Sequence, residues 1–212
     1  MDYTQTLWLF LLLVTGIIVV PGMDMIFVLV SALSGGRSAG LTATSGMMAG
    51  GAVHTLYGTL GAGLLVTFAP GLFLPLLLVG AVYMVWIGLS LVRSSITVSG
   101  VGDIKAVPPL VTFRRALATC LLNPKAYLFV LAVYPQFLRP EFGPFWLQGL
   151  VMGVITAAVQ FVVYGAVALA GTRARAFLIG SPAATIWTGR AAGLLLIAAA
   201  CVTFWQGYSV LL

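Results

Sequence analysis

The sequence predicts an all-α integral membrane protein of six transmembrane helices, laid out as two inverted three-helix repeats with broken first and fourth helices. Three observations carry that expectation. Only 7% of the 212 residues are charged and 61% are hydrophobic, whereas a soluble domain carries roughly 25% charged residues. The apolar residues form continuous segments of the roughly 20 residues that a helix needs to cross hydrocarbon. Proline interrupts the first and fourth segments at Pro21 and Pro124, 103 residues apart. So little polar cover excludes an ordinary water-soluble enzyme. The continuous runs also lack the alternation of a membrane β-barrel.

The first segment covers about Thr4–Leu33 and ends at Ser34-Gly35-Gly36-Arg37. The second, about Leu41–Phe68, closes on the turn Ala69-Pro70-Gly71. The third, about Leu72–Val92, leads into the longest connection, which is rich in Ser, Gly and Pro. The fourth covers about Phe113–Leu138 and stops at Arg139-Pro140-Glu141. The fifth, about Phe145–Ala170, is followed by the stretch from Arg173 to Pro182, and the sixth is about Thr188–Leu211. One membrane domain, 1–212, thus divides into repeats of about 1–100 and about 113–212, joined by a cytoplasmic linker of about 94–112. Three spans per half force the halves into opposite orientations. No basic residue precedes the first apolar run, so no cleaved signal peptide is expected.

Charge sets the orientation. Eight of the ten Lys and Arg residues fall on the connections after the first, third and fifth spans: Arg37, Arg93, Lys105, Arg114, Arg115, Arg173, Arg175 and Arg190. The opposite side holds Arg139, and Lys125 lies within a span. Basic residues favour the cytoplasmic side, which puts both termini outside the cytoplasm. The net charge of +6 is spread along these connections and forms no single face, so no nucleic-acid partner is expected. Cys120 and Cys201 are read as small apolar residues, and a single histidine argues against haem. No cofactor, metal site or nucleotide loop is expected.

The breaks carry the chemistry. Proline removes a backbone donor, and in hydrocarbon the freed carbonyls survive only against protein or a watery cavity. At Val20-Pro21-Gly22-Met23-Asp24 and Asn123-Pro124-Lys125, a half-helix is expected to begin near the membrane midplane. Asn before Pro is the residue order of an N-cap followed by a first helical position. Such a start favours an anion, for example a carboxylate. Asp24 and Lys125 are the two charged residues well inside spans, each costing about 2.5–3.5 kcal/mol at a helix centre. Asp24 suits its first-turn position; Lys125 does not. A nearby anion would resolve that conflict, either Asp24 itself or a substrate carboxylate. A purely structural ion pair is the alternative.

Weaker polar positions are His54, Tyr57, Gln160 and Tyr164, which either line a pathway or glue helices together. Tyr57 and Gln160 are 103 residues apart, and Gln160 and Tyr164 share a helical face. Gly36-x-x-x-Gly40, Gly46-x-x-x-Gly50 and Gly189-x-x-x-Gly193 read as close-packing positions that would also permit a homodimer. Trp86 and Trp146 read as interfacial anchors.

These residues resemble the LysE/RhtB-type amino-acid exporters. The likeness rests on Pro21-Gly22-x-Asp24-Met25, Gly36-Arg37-x-Ala39-Gly40 and Gly46-x-x-x-Gly50-x-x-x-His54. It continues in Asn123-Pro124-Lys125-Ala126 and Pro135-Gln136-Phe137, while the last third matches in hydropathy alone. Met23 stands where the family commonly has a second proline, and Ala116 and Cys120 stand where many members have Gly and Asn. The resemblance implies a multi-pass carrier of the bacterial inner membrane that exports amino acids or related small metabolites against protons. Pro21, Gly22, Asp24, Asn123, Pro124 and Lys125 would form its binding and coupling site, and His54, Tyr57, Gln160 and Tyr164 a pathway. The rival cargo is a metal cation held by Asp24, His54 and Met47 or Met48, which Lys125 would repel. A non-transporting membrane assembly protein would need no midplane acid and base.

Overall fold

The computed structural model describes residues 2–68, 107–171, 173 and 181–211, and between them 78–79, 81–82, 85–86, 88–90 and 92–93. The expected turn Ala69-Pro70-Gly71, linker residues 94–106 and the stretch 174–180 lie outside the described residues, as do Lys105 and Arg175. Every regular element among the described residues is helical.

Helix α1, Tyr3–Val19, starts on a capping box. Asp2 Oδ1 accepts from the Gln5 N–H at 2.8 Å, and the Gln5 side chain accepts from the Asp2 N–H at 3.1 Å. It stops because Pro21 has no N–H for the carbonyl of Ile17. Helix α2, Met23–Phe68, bends at Gly36, whose φ of +72° and ψ of −171° are non-helical. That bend folds the chain back on itself. A Cβ on Gly40 would lie 2.8 Å from that of Ala32, whereas a straight helix separates such residues by about 12 Å. The expected end of the first span at Ser34–Arg37 is therefore a glycine reversal.

Helix α3, Pro109–Leu121, and helix α4, Pro124–Phe137, are the two pieces of the expected fourth span. A short 3₁₀ turn, Pro140–Phe142, leads to helix α5, Phe145–Ala170, and helix α6 is Pro182–Leu211. Gln148 fastens that turn: Oε1 accepts from the Arg139 N–H at 3.1 Å, and Nε2 donates to the carbonyls of Arg139 and Gly143, each at 2.7 Å. Helix α5 and the stretch Met23–Leu64 of α2, bent at Gly36, are long and apolar enough to cross a membrane.

The long arm of α2, residues 37–68, is the hub, with α3 and α5 packed against it. Glycines set those approaches. A Cβ on Gly46 would come within 2.6 Å of the Phe113 carbonyl oxygen, and one on Gly50 within 2.6 Å of Cys120 Cβ. Gly149 is pressed against Thr59, and Gly193 of α6 against Gly88. Close packing is thus what Gly46, Gly50 and Gly193 do within the chain. Phe10 joins α1 to α4 edge-on, its ring 5.7 Å from Tyr134 and 5.5 Å from Phe137.

Burial is arranged for lipid. Leu56, Leu60, Trp86, Trp146, Leu150, Val154 and Phe161 are exposed, while Asp24, His54, Asn123 and Gln160 are buried. A water-soluble protein arranges these classes the other way round.

Candidate functional site

The interior polar residues gather where the two breaks meet. Break one is residues 20–22, between α1 and α2; break two is residues 122–123, between α3 and α4. Asp24 lies in the first turn of α2, where the helix dipole favours an acid. Asn123 caps α4: its Oδ1 accepts from the Lys125 N–H at 3.0 Å, and Pro124 follows at the first helical position. The other face of the same amide reaches break one, where Asn123 Nδ2 donates to Asp24 Oδ1 at 2.8 Å. The cap needs an acceptor and the carboxylate needs a donor, so the two partners fix which way the amide points.

Lys125 is not paired directly with Asp24. Its Nζ donates to the carbonyls of Ile17 at 3.0 Å and Val20 at 2.9 Å, the C-terminal end of α1. In this conformation its partner is thus a helix end and not Asp24, the first of the two anions offered above. A cation disfavoured at the start of α4 is favoured at the end of α1, where unpaired carbonyls carry the negative end of the dipole. Gly22 leaves room for it, since a Cβ there would stand 3.1 Å from Nζ. Asp24 remains within electrostatic reach of both Lys125 and His54.

Break two is held in turn by break one's half of the chain. His54 Nε2 lies 3.0 Å from the Cys120 carbonyl, and Nδ1 lies 2.7 Å from the Tyr57 hydroxyl. A carbonyl can only accept, so Nε2 carries a proton, and Nδ1 shares its hydrogen bond with the Tyr57 hydroxyl. His54, offered above as a ligand for a metal cargo, thus has both ring nitrogens in protein hydrogen bonds.

Between the breaks lies a small cavity of about 50 Å³. Asp24, His54, Lys125, Gln160 and Tyr164 give it polar groups, and Val14, Ile17, Ile18, Phe129 and Val130 give it an apolar wall. Polar groups set against an apolar wall are the composition of a small-molecule site, here in a volume that holds only a few waters. Tyr164 is a further hydrogen-bonding neighbour of the Asp24 carboxylate. Gln160 Nε2 reaches the Met47 carbonyl at 3.5 Å, while its buried Oε1 has no partner. Gly51 makes space for that amide, because a Cβ there would meet Oε1 at 2.6 Å. Tyr57 does not line the cavity and joins the site through His54.

The sequence reading missed Tyr134 and Thr156, which also line the cavity. The Tyr134 hydroxyl is 2.8 Å from Thr55 Oγ1, and Thr156 is its second hydrogen-bonding neighbour. A signal was present: Ala126, Val130 and Tyr134 repeat at four-residue steps along the face beginning beside Lys125.

Known proteins resemble this chain over most of its length. An uncharacterised membrane protein of Pseudomonas aeruginosa is 30% identical over 178 residues, 80% of this chain and 81% of its own. A homoserine/homoserine lactone efflux protein of Salmonella typhimurium is 28% identical over 164 residues, covering 76% of this chain and 77% of that one. A leucine efflux protein of Klebsiella pneumoniae is 33% identical over 123 residues, 58% of each chain. No solved structure matches. The LysE type translocator family matches residues 15–207, a stretch that includes both breaks and all the residues around the cavity except Val14. The chain therefore belongs to the LysE type translocator family, whose members are membrane translocators and not enzymes.

Proposed function

We propose that this translocator is a secondary-active carrier that exports amino acids or related small metabolites from a bacterial cell, exchanging them for protons. The observation that supports it best is the meeting of an acid and a base from two broken helices at one cavity. Lys125 serves as counter-ion for the substrate carboxylate. Asp24 supplies the negative charge for the substrate ammonium and exchanges it for a proton. The apolar wall of Val14, Ile17, Ile18, Phe129 and Val130 suits an aliphatic side chain, in keeping with the leucine efflux relatives. Transport proceeds by alternating access, with two inverted three-helix halves rocking about the site. Both termini lie on the non-cytoplasmic side, a reading supported by the distribution of Lys and Arg.

Uptake of labelled amino acids into inside-out vesicles under an imposed proton gradient tests this reading. Accumulation of leucine that collapses with an uncoupler and vanishes in Asp24→Asn is the expected result. Gradient-driven export retained in Asp24→Asn would remove Asp24 from coupling. Lys125→Ala should weaken carboxylated substrates most, and equal losses for uncharged solutes would contradict its role.

A further inference from the structure

Break one ends in acceptors that a side chain fills. Pro21 withholds the N–H that would close the last turn on the Ile17 carbonyl. That carbonyl and the Val20 carbonyl converge on a single group, the Lys125 ammonium, at 3.0 and 2.9 Å. Pro124 does the same to Cys120 at break two, yet there the carbonyl accepts from the Asn123 backbone N–H at 3.1 Å as well as from His54 at 3.0 Å. Break two is closed partly by backbone and by a ring that Tyr57 holds. Break one depends on a flexible four-carbon chain that ends in a primary ammonium.

Helix C-terminal carbonyls, a carboxylate within electrostatic reach and an adjoining cavity are what an ammonium ligand requires. Here all three are present, with an ammonium already seated. We propose that the Ile17 and Val20 carbonyls, backed by Asp24, form the subsite for a primary ammonium of the cargo, and that Lys125 is its tethered occupant in this conformation. The cargo ammonium replaces Nζ, and the released Lys125 turns to the cargo carboxylate. Loading a zwitterion is then an exchange of one ammonium for another. The inference rests on the amino-acid reading for the identity of the cargo, but the subsite itself can be tested without it.

A tethered competitor lowers apparent affinity by the fraction of time that it leaves the site free. Calorimetric titration of the purified full-length protein in detergent separates the possibilities, using isoamylamine (leucine without its carboxylate), 4-methylpentanoate (leucine without its ammonium) and leucine. Isoamylamine should bind Lys125→Met about 10-fold or more tighter than the unmodified protein. Lys125→Arg, which keeps a cationic donor at the carbonyls, should show no such gain in amine affinity. 4-Methylpentanoate should gain nothing. If Lys125→Met does not fold, Lys125→Gln, whose shorter neutral side chain holds no ammonium on the carbonyls, should shift amine affinity in the same direction. Equal amine affinity with and without Lys125 overturns the subsite. Leucine bound by the unmodified protein without the amine shift strikes the subsite alone; the amine shift without leucine binding supports the subsite and strikes the cargo reading alone.

Discussion

Pro21 and Pro124 each remove the donor that would close the last turn of the helix before them, at Ile17 and at Cys120, yet the two gaps are filled from different sources. Break one takes a lysine from the second half of the chain. Break two takes its own Asn123 N–H together with a histidine from the first half. Break one therefore offers acceptors: two carbonyls and the Asp24 carboxylate. Break two offers donors, the Asn123 amide and the Lys125 ammonium. Each break is thus repaired wholly or in part by a side chain from the other half of the sequence. The same defect, made twice, gives a site with a sign at each end.

The largest effect on stability is expected at Asn123, which serves both breaks. Asn123→Ala removes the α4 cap, worth about 0.5–2 kcal/mol, and leaves the buried Asp24 without that donor, costing about 1–3 kcal/mol. Asn123→Ser keeps an N-cap acceptor but is too short for Asp24, so it should lose only the second part. Chemical unfolding in detergent reads both. Equal losses for Ala and Ser would mean that the cap contributes nothing and that break two is held by packing.

Next comes the contrast between the two borrowed side chains. Lys125→Met strands the Ile17 carbonyl and should cost about 1–3 kcal/mol. His54→Phe leaves Cys120 with its backbone donor and should cost about 0.5–1.5 kcal/mol. The reverse order, measured by the same unfolding, would break the comparison, because it would make break two the one that depends on a side chain.

Much of this arrangement is legible in the sequence, for a physical reason. Proline acts on the backbone wherever it stands, so Pro21 and Pro124 announce both breaks, and Asn123 announces its cap, without reference to the rest of the fold. The scarcity of charge marks Asp24 and Lys125 as interior groups that must have partners. Which partner each takes is a different kind of fact. Lys125 is the second residue of a helix and 108 positions from Ile17, and no local pattern says that a C-terminus will arrive there. Ile17 itself is apolar, and its contribution is a carbonyl that every residue has. Tyr134 hid for the opposite reason: an aromatic residue in an apolar helix looks like core until Thr55, 79 residues away, is placed beside its hydroxyl.

A sharper test restores the donor. Pro21→Ala returns an N–H four residues after Ile17, so Lys125 is no longer the group that must satisfy that carbonyl. In a double-mutant cycle the cost of Lys125→Met should shrink in the Pro21→Ala background, with a coupling of about 1 kcal/mol. Pro124→Ala should couple more weakly to His54→Phe, since Asn123 already supplies a backbone donor to Cys120. Equal couplings would show that the two breaks are repaired alike.

The smallest effect separates a break that yields from one that does not. Gly22 has no positive φ, so alanine is allowed there by the backbone. The added Cβ would meet the end of a flexible side chain, with Lys125 Nζ at 3.1 Å and Cε at 3.5 Å. Beside break two, a Cβ on Gly50 would meet Cys120 Cβ at 2.6 Å and Sγ at 2.7 Å, atoms fixed to the end of α3. Gly50→Ala should thus cost the ~1–3 kcal/mol of an overpacked core, while Gly22→Ala should change stability by only a few tenths of a kcal/mol, because Lys125 can shift. A large loss at Gly22 would show that the ammonium is locked onto α1 as firmly as α3 is packed on α2. A seat so rigid could not exchange its occupant, and break one would then be a structural clasp in the same sense as break two.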